Sequence, residues 1–264
     1  MVLTFEKYQG AGNDFILLDD RGTDLVDRLD RPAIARLCDR HFGIGADGLM
    51  LLRDAPAPYD FEMVYYNADG GVSTMCGNGG RCIIRFAADL GIQRDVYHFL
   101  AVDGPHEGRI TPEGTVALGM NDVTEIVHHG DDLVLDTGSP HYLRFVDDLN
   151  ALDVVAAGRA VRHSPAFAAA GINVNFVRAT SGALELATYE RGVEDETLAC
   201  GTGVTAAVIG HLHRDPGTGD GRFRVDVRAR GGNLSVSGER RGSRYFSIQL
   251  TGPAEHVFNG SISL

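Results

Sequence analysis

Thr74-Met75-Cys76-Gly77-Asn78-Gly79-Gly80-Arg81 returns 124 residues later, little changed, as Leu198-Ala199-Cys200-Gly201-Thr202-Gly203-Val204-Thr205. An apolar run with helical spacing follows each copy. After the first, Ile83, Phe86, Ala87 and Leu90 stop at Gly91; after the second, Val204, Ala207, Val208 and Leu212 stop before Pro216-Gly217. Each copy therefore reads as the start of a short buried helix opened by a cysteine. A cysteine in that place lies against unpaired backbone N–H groups and the positive end of the helix dipole, which favours thiolate. The glycines admit backbone conformations in which successive N–H groups converge on an anion such as a carboxylate. A single Cys-Gly-x-Gly is a weak signal, since some such stretches are only a tight turn into a packed helix; two, each at a strand-to-helix joint, argue for a site.

Working outward, Phe5 to Asp20 reads as two strands around Gly10-Ala11-Gly12-Asn13, with Asn13 at the tip. Pro32 to Phe42 reads as a helix with Ile34, Leu37 and Cys38 on one face. Gly43-Ile44-Gly45-Ala46-Asp47-Gly48 has the letters of a dinucleotide fingerprint, but a helix precedes it and a strand, Leu49 to Leu52, follows. That is the reverse of the order a pyrophosphate site needs, so nucleotide binding is set aside. Phe61 to Tyr66 is a strand and Asn67-Ala68-Asp69-Gly70 a turn; Cys82, inside the first helix, reads as core.

Near Asn121 the pattern restarts. Leu133 to Leu135 reads as a strand, Gly138-Ser139-Pro140-His141 as a turn and Leu143 to Asp148 as a second strand. Asn13 stands 63 residues before Cys76 and Ser139 stands 61 before Cys200; His41 and His163 stand 35 and 37 before. Gly171 to Val177 is a strand carrying Asn173 and Asn175, and Leu184 to Tyr189 a strand leading into Glu190-Arg191-Gly192. We expect a duplicated domain, 1–120 and 121–250, with 251–264 crossing back to complete the first.

The 264 residues suffice for two such domains, and 44% hydrophobic with 23% charged residues is ordinary for a globular chain. No apolar run approaches the ~18 residues of a membrane span. Met1 to Gly10 lacks a secretion signal, so the chain is expected in the cytoplasm with its four cysteines as thiols. A net charge of −12 argues against nucleic acid as a partner. His211-x-His213 on a helix points its rings apart and His128-His129 falls in a turn region, so no metal site is expected.

Two opposed thiols suit racemisation. One removes an α-proton from one face while the other delivers a proton to the opposite face, and the roles exchange for the reverse reaction. The N–H groups of Gly77, Asn78, Gly201 and Thr202 would then meet the substrate carboxylate as charge develops. With Lys7 the only lysine, a Schiff-base cofactor is not expected.

The segments QGAGNDF (9–15), YYNADG (65–70), MCGNGGRC (75–82), GSPH (138–141), GINVNF (171–176) and ERGVEDETLACGTG (190–203) together resemble the diaminopimelate epimerases, cofactor-independent amino-acid epimerases, over essentially the full length. The resemblance implies an α/β (α+β) fold of two pseudo-symmetric domains, each a mixed, mostly antiparallel sheet or barrel wrapped around a central helix. It implies epimerisation of L,L-2,6-diaminopimelate to the meso form, in the lysine and peptidoglycan-precursor pathway. Cys76 and Cys200 would be the acid–base pair, tuned by His141 and Glu190. Asn13, Asn67, Asn173, Glu190 and Arg191 would bind substrate, Arg191 on the distal carboxylate, and Gly77, Asn78, Gly201 and Thr202 the α-carboxylate. The family tends to form homodimers. Ser139 stands where many members have asparagine and Gly48 where some have glutamine. Proline and hydroxyproline racemases, which resemble a pattern with histidine at the place of Asn78, are the alternative enzymes. A non-enzymatic amino-acid-binding or thiol redox-sensing protein would need only one of the two cysteines.

Overall fold

A computed structural model describes residues 1–264 of the protein except 216 and 218; the expected stop at Pro216 lies outside the described residues. The chain divides into two units, Met1–Leu118 with Gly252–Leu264, and Gly119–Thr251.

In the first unit, buried Leu3, Phe5 and Lys7 alternate with Val2, Thr4 and Glu6 along β1 (Val2–Gly10). The antiparallel partner β2 (Asn13–Asp19) places Asn13 opposite Gly10. The turn is Ala11-Gly12, with φ of 55° and 84°, the positive pair that a two-residue hairpin requires. Asn13 therefore opens a strand instead of forming the tip. After the single turn α1 (Leu25–Arg28) comes α2 (Arg31–Cys38), capped by the Asp30 carboxylate on Ala33 N at 2.9 Å. It stops short of Phe42 because Asp39 is extended and its carboxylate accepts the N–H groups of His41 and Phe42, both at 2.7 Å, a local alternative to further helix.

Helix α2 carries the chain to β3 (Gly48–Arg53), parallel to β2. Antiparallel β4 (Phe61–Asn67) follows, with the short β5 (Val72–Ser73) beside it. After α3 (Gly77–Asp89) come β6 (Tyr97–Ala101), parallel to β4, and the meander of β7 (Gly104–Ile110) and β8 (Val116–Gly119). The last strand of the chain, Glu255–Ser263, pairs antiparallel with the other side of β1. Helix α3 packs on β1, β2, β3 and β7 and buries Ile83, Ile84, Phe86 and Ala87 to 2% exposure or less. A separate core under α1 and α2 gathers Leu18, Leu25, Ile34, Leu37, Leu49 and Leu51.

The second unit repeats this order of pairing. Strand β9 (Ile126–His129) lies beside β10 (Asp132–Asp136), which pairs antiparallel with β11 (Pro140–Phe145). Helix α4 (Val154–Arg162) crosses to β12 (Asn173–Ala179), parallel to β11. Antiparallel β13 (Leu184–Glu190) carries the short β14 (Asp195–Thr197). After α5 (Gly201–Arg214), β15 (Gly221–Ala229) pairs parallel with β13 and continues into β16 (Gly232–Arg241) and β17 (Arg244–Gly252). Each unit is thus a mixed, mostly antiparallel sheet with a buried central helix. Three local expectations shift. The turn is confined to Thr137–Ser139, where Asp136 accepts Gly138 N at 2.7 Å and Gly138 has φ 102°. His141 is consequently a strand residue opposite Leu135, and the strand ends at Phe145, not Asp148. His128 and His129 lie on β9 rather than in a turn.

Candidate active site

Cys76 is the N-cap of α3, and its Sγ accepts the N–H of Gly79 at 3.2 Å. The approach is close: a Cβ on Gly79 would stand 3.2 Å from Met50 Sδ and 3.4 Å from Cys76 Sγ. The Asn13 side chain reaches the same thiol, with Oδ1 at 3.9 Å from Sγ and 3.4 Å from Asn78 Nδ2. Its amide has one orientation because Nδ2 donates to Asp47 Oδ2 at 2.6 Å, and a carboxylate only accepts. Arg40 bridges Asp47 at 2.8 Å and Asp14 at 2.6 Å, and Lys7 lies 2.7 Å from Asp14. Burial opposes ionisation of Asp14, but hydrogen bonds from Arg40 and Lys7 hold its carboxyl at about 2. The Lys7 ammonium is committed to Asp14 and the Gly45 carbonyl.

Under the first turn of α3 lies Arg81, with 0% exposure. Its guanidinium donates to Gly77 O at 3.1 Å, Asn78 Oδ1 at 3.0 Å and Pro253 O at 3.2 Å. Asn78 is therefore held at both ends, by Arg81 on Oδ1 and by Asn13 on Nδ2. Burial lowers the Arg81 pKa, and the neighbouring Cys82 and Cys76 act against that lowering. Burial pushes the thiol of Cys38 up to about 11 and that of Cys82 up to about 12, so both stay protonated at neutral pH, as core residues.

In the second unit Cys200 is the N-cap of α5, with Sγ 3.4 Å from Thr202 Oγ1. Thr137 Oγ1 donates to Thr202 O at 2.9 Å, tying the 137–139 turn to the helix start. Behind it, fully buried Asn175 accepts from Thr188 Oγ1 at 2.9 Å and donates from Nδ2 to Tyr142 O at 3.1 Å, with His141 Nδ1 at 3.0 Å. A Cβ on Gly203 would stand 2.5 Å from Asn175 Oδ1 and 3.4 Å from Cys200 Sγ, so the glycine lets this strand residue approach the helix start. Burial, and the positive charge of Arg191, lower the His141 pKa to about 3. Its Nε2 has no hydrogen-bond partner among the described residues.

Asn173 joins Ser139 to Arg191. Its Nδ2 donates to Ser139 Oγ at 2.7 Å and Pro140 O at 3.3 Å, and its Oδ1 accepts the Arg191 N–H at 2.9 Å. The Arg191 side chain runs over Gly171, where φ is 75° and a Cβ would lie 2.6 Å from Cδ, and donates to Ala170 O at 3.3 Å. Glu190 accepts from Thr197 Oγ1 at 2.9 Å.

Asn13, Gly77 and Asn78 thus gather at Cys76, and Thr202 lies at Cys200 after Gly201; Ser139, Asn173 and Arg191 form one linked group, with His141 beside Asn173 in the ladder. Asn67 is exposed at the end of β4, opposite Gly48, where its carbonyl closes a turn from Gly70 at 2.8 Å. Gly48 offers backbone only: a Cβ would lie 2.6 Å from both the Tyr65 ring and the Tyr66 carbonyl. Asp47, Arg81, Asn175 and Thr188 support the site, and the sequence reading gives none of them a role in it. For Arg81 the signal is present, because it lies three and four residues beyond Asn78 and Gly77 on one helical face.

The diaminopimelate epimerase family model matches residues 5–126 and 133–257 of the chain. The diaminopimelate epimerase of Flavobacterium psychrophilum is 46% identical, over 97% of this chain and 98% of that one. That of Chlorobaculum tepidum is 40% identical, over 97% and 99%. Among solved structures, a phenazine biosynthesis protein of the PhzF family from Bacillus anthracis superposes with a TM-score of 0.77 at 10% identity, covering 100% of each chain. A hydroxyproline epimerase from Agrobacterium vitis does so with 0.68 at 16%, covering 99% and 91%. These two likenesses are of fold.

Proposed function

The chain belongs to the diaminopimelate epimerase family, and on that premise we propose that it converts L,L-2,6-diaminopimelate to the meso form by a two-thiol exchange at one α-carbon. One of Cys76 and Cys200, as thiolate, takes the α-proton; the other, as thiol, gives its proton to the opposite face, and each ends in the state the other began in. The N–H groups of Gly77, Asn78, Gly201 and Thr202 receive the α-carboxylate, whose charge grows as the carbanion forms. Asn13, Asn67, Asn173 and Glu190 hold the rest of the substrate, with Arg191 gripping the distal carboxylate at two points. His141 and Glu190 adjust the thiols.

The observation that carries this reading is the repeated placement of a cysteine as N-cap of a glycine-opened helix, once in each unit. In deuterated water, early turnover of L,L-substrate is expected to give meso product labelled at the inverted carbon while recovered substrate stays unlabelled. Cys76→Ser and Cys200→Ser should each lose epimerisation by roughly several orders of magnitude, whereas Cys38→Ser and Cys82→Ser retain it. Unlabelled product, or near-normal turnover by either of the first two variants, refutes the mechanism.

We place the enzyme in the cytoplasm as a homodimer. Val257 and Phe258 on the last strand are 53% and 44% exposed, and a second copy would cover such apolar side chains. Sedimentation velocity reads this directly: a monomer at micromolar concentration removes the dimer.

A further inference from the structure

We propose that Asn175 is a positioning residue that locks His141 in the tautomer carrying its proton on Nε2, so that the ring offers the site a hydrogen-bond donor and not a base. The inference rests on His141 belonging to the site proposed above. Its starting point is the Asn175 amide, whose orientation two neighbours decide independently. The Tyr142 carbonyl can only accept, so the amide atom 3.1 Å from it must be the NH2 group. The Thr188 hydroxyl, 2.9 Å from the other amide atom, has an oxygen to donate to. Reversing the amide would set oxygen against the Tyr142 carbonyl oxygen. Nor is there space for the side chain to swing away, because Asn175 is fully buried and Gly203 closes over its Oδ1.

With the amide fixed, His141 follows. Nδ1 lies 3.0 Å from the Asn175 NH2 and must present its lone pair, which leaves the ring proton on Nε2. That Nε2–H is buried and has no acceptor among the described residues. Buried donors in folded proteins are nearly always paired; this one is held ready for an acceptor that arrives with the bound state, a thiolate or a substrate oxygen. A second proton has no place, since Nδ1 faces an N–H donor and the Arg191 charge opposes a cation. The low His141 pKa agrees with this. His141 then stabilises negative charge without giving up its proton, and the proton changes fall on the thiols.

The test reads the ring itself. In substrate-free, 15N-labelled protein, a long-range 1H–15N spectrum distinguishes Nε2–H, Nδ1–H and imidazolium, with His141 identified by the signals lost in His141→Gln. The expected pattern is protonated Nε2 with bare Nδ1, unchanged between about pH 5 and 8. Asn175→Asp keeps the size but replaces the donor by an acceptor, so His141 should move to Nδ1–H or imidazolium and kcat/KM should fall by about a hundred-fold or more. Protonated Nδ1 in the wild type, or a folded Asn175→Asp that keeps Nε2–H, overturns the inference; if that variant does not fold, the wild-type spectrum decides. The wrong tautomer in an active enzyme sinks this inference alone. The expected tautomer in a protein that does not turn over diaminopimelate sinks the functional reading alone.

Discussion

Arg81→Met tests whether a buried cation braces the first turn of α3. The guanidinium makes three hydrogen bonds, to Gly77 O, Asn78 Oδ1 and Pro253 O, from a position with no solvent exposure. At about 1.5–3 kcal/mol for each bond from a charged donor, the gross contribution is roughly 5–9 kcal/mol. Desolvation of the cation takes back several kcal/mol. Methionine fills most of the volume and removes the charge, so no unpaired ion is left behind; three acceptors lose their donor. The net loss expected is about 2–4 kcal/mol, read as a lower urea midpoint with unchanged slope. Arg81→Lys keeps the charge but spans fewer of the three acceptors, and should fall between the two. Because Asn78 loses its Oδ1 anchor, kcat/KM should drop further than stability at the assay temperature explains. A loss under about 1 kcal/mol in Arg81→Met, with activity intact, would refute the bracing role.

Asp47→Asn should free the Asn13 amide to turn over, since the new side chain no longer accepts only. We expect kcat/KM to fall about ten-fold, one hydrogen bond's worth, with stability changed by less than about 1 kcal/mol because the Arg40–Asp47 pair is half exposed; equal activity would detach Asp47 from the site. Acid should destabilise the protein partly through His141. Its folded value, about 3, lies below the ordinary 6.5, so its contribution is complete above pH 6.5 and is lost as pH falls towards 3, when the unfolded chain takes a proton that the folded ring refuses. The slope due to this one ring reaches about 1.4 kcal/mol per pH unit, and His141→Gln should flatten it; an unchanged slope in urea titrations between about pH 6 and 4 refutes the assignment. Asp14, held at about 2 against 3.8, acts only in the lower window between those two values.

The cysteine-capped helices are legible in the sequence because a cap, a glycine pair and an apolar stripe are local signals, and so is the order of strands around them. The places where reading falters are those decided by a partner distant in sequence or by a side chain competing with the backbone. Asp39 ends α2 early by accepting two N–H groups, which periodicity does not register. The hairpin turns on Ala11-Gly12, and Ala11 at positive φ is not a residue that advertises a turn. Asn13 and Asn78 are visible within motifs, and Asn173 and Arg191 likewise. The pairings that support them are not: Asp47 reaches Asn13 across 34 residues and Asn175 reaches His141 across another 34. Arg81 stands inside a quoted motif, yet nothing in a string of letters marks an arginine as wholly enclosed.

The partner of β1 on its outer side is the last strand of the chain, whereas β10, in the same position of the second unit, is flanked by β9, made just before it. On the ribosome this separates the two units in time. The second has all its strands once residue 252 has been made, but the first must hold β1 with one row of backbone groups open until Glu255–Ser263 follows. At about 5–20 residues per second, that wait is on the order of ten seconds after the rest of the first unit is made. During it, the exposed edge of the nascent chain is a template for any extended segment nearby, and a truncation at the C-terminus would be felt at the N-terminus, in the strand that carries the chain towards Asn13.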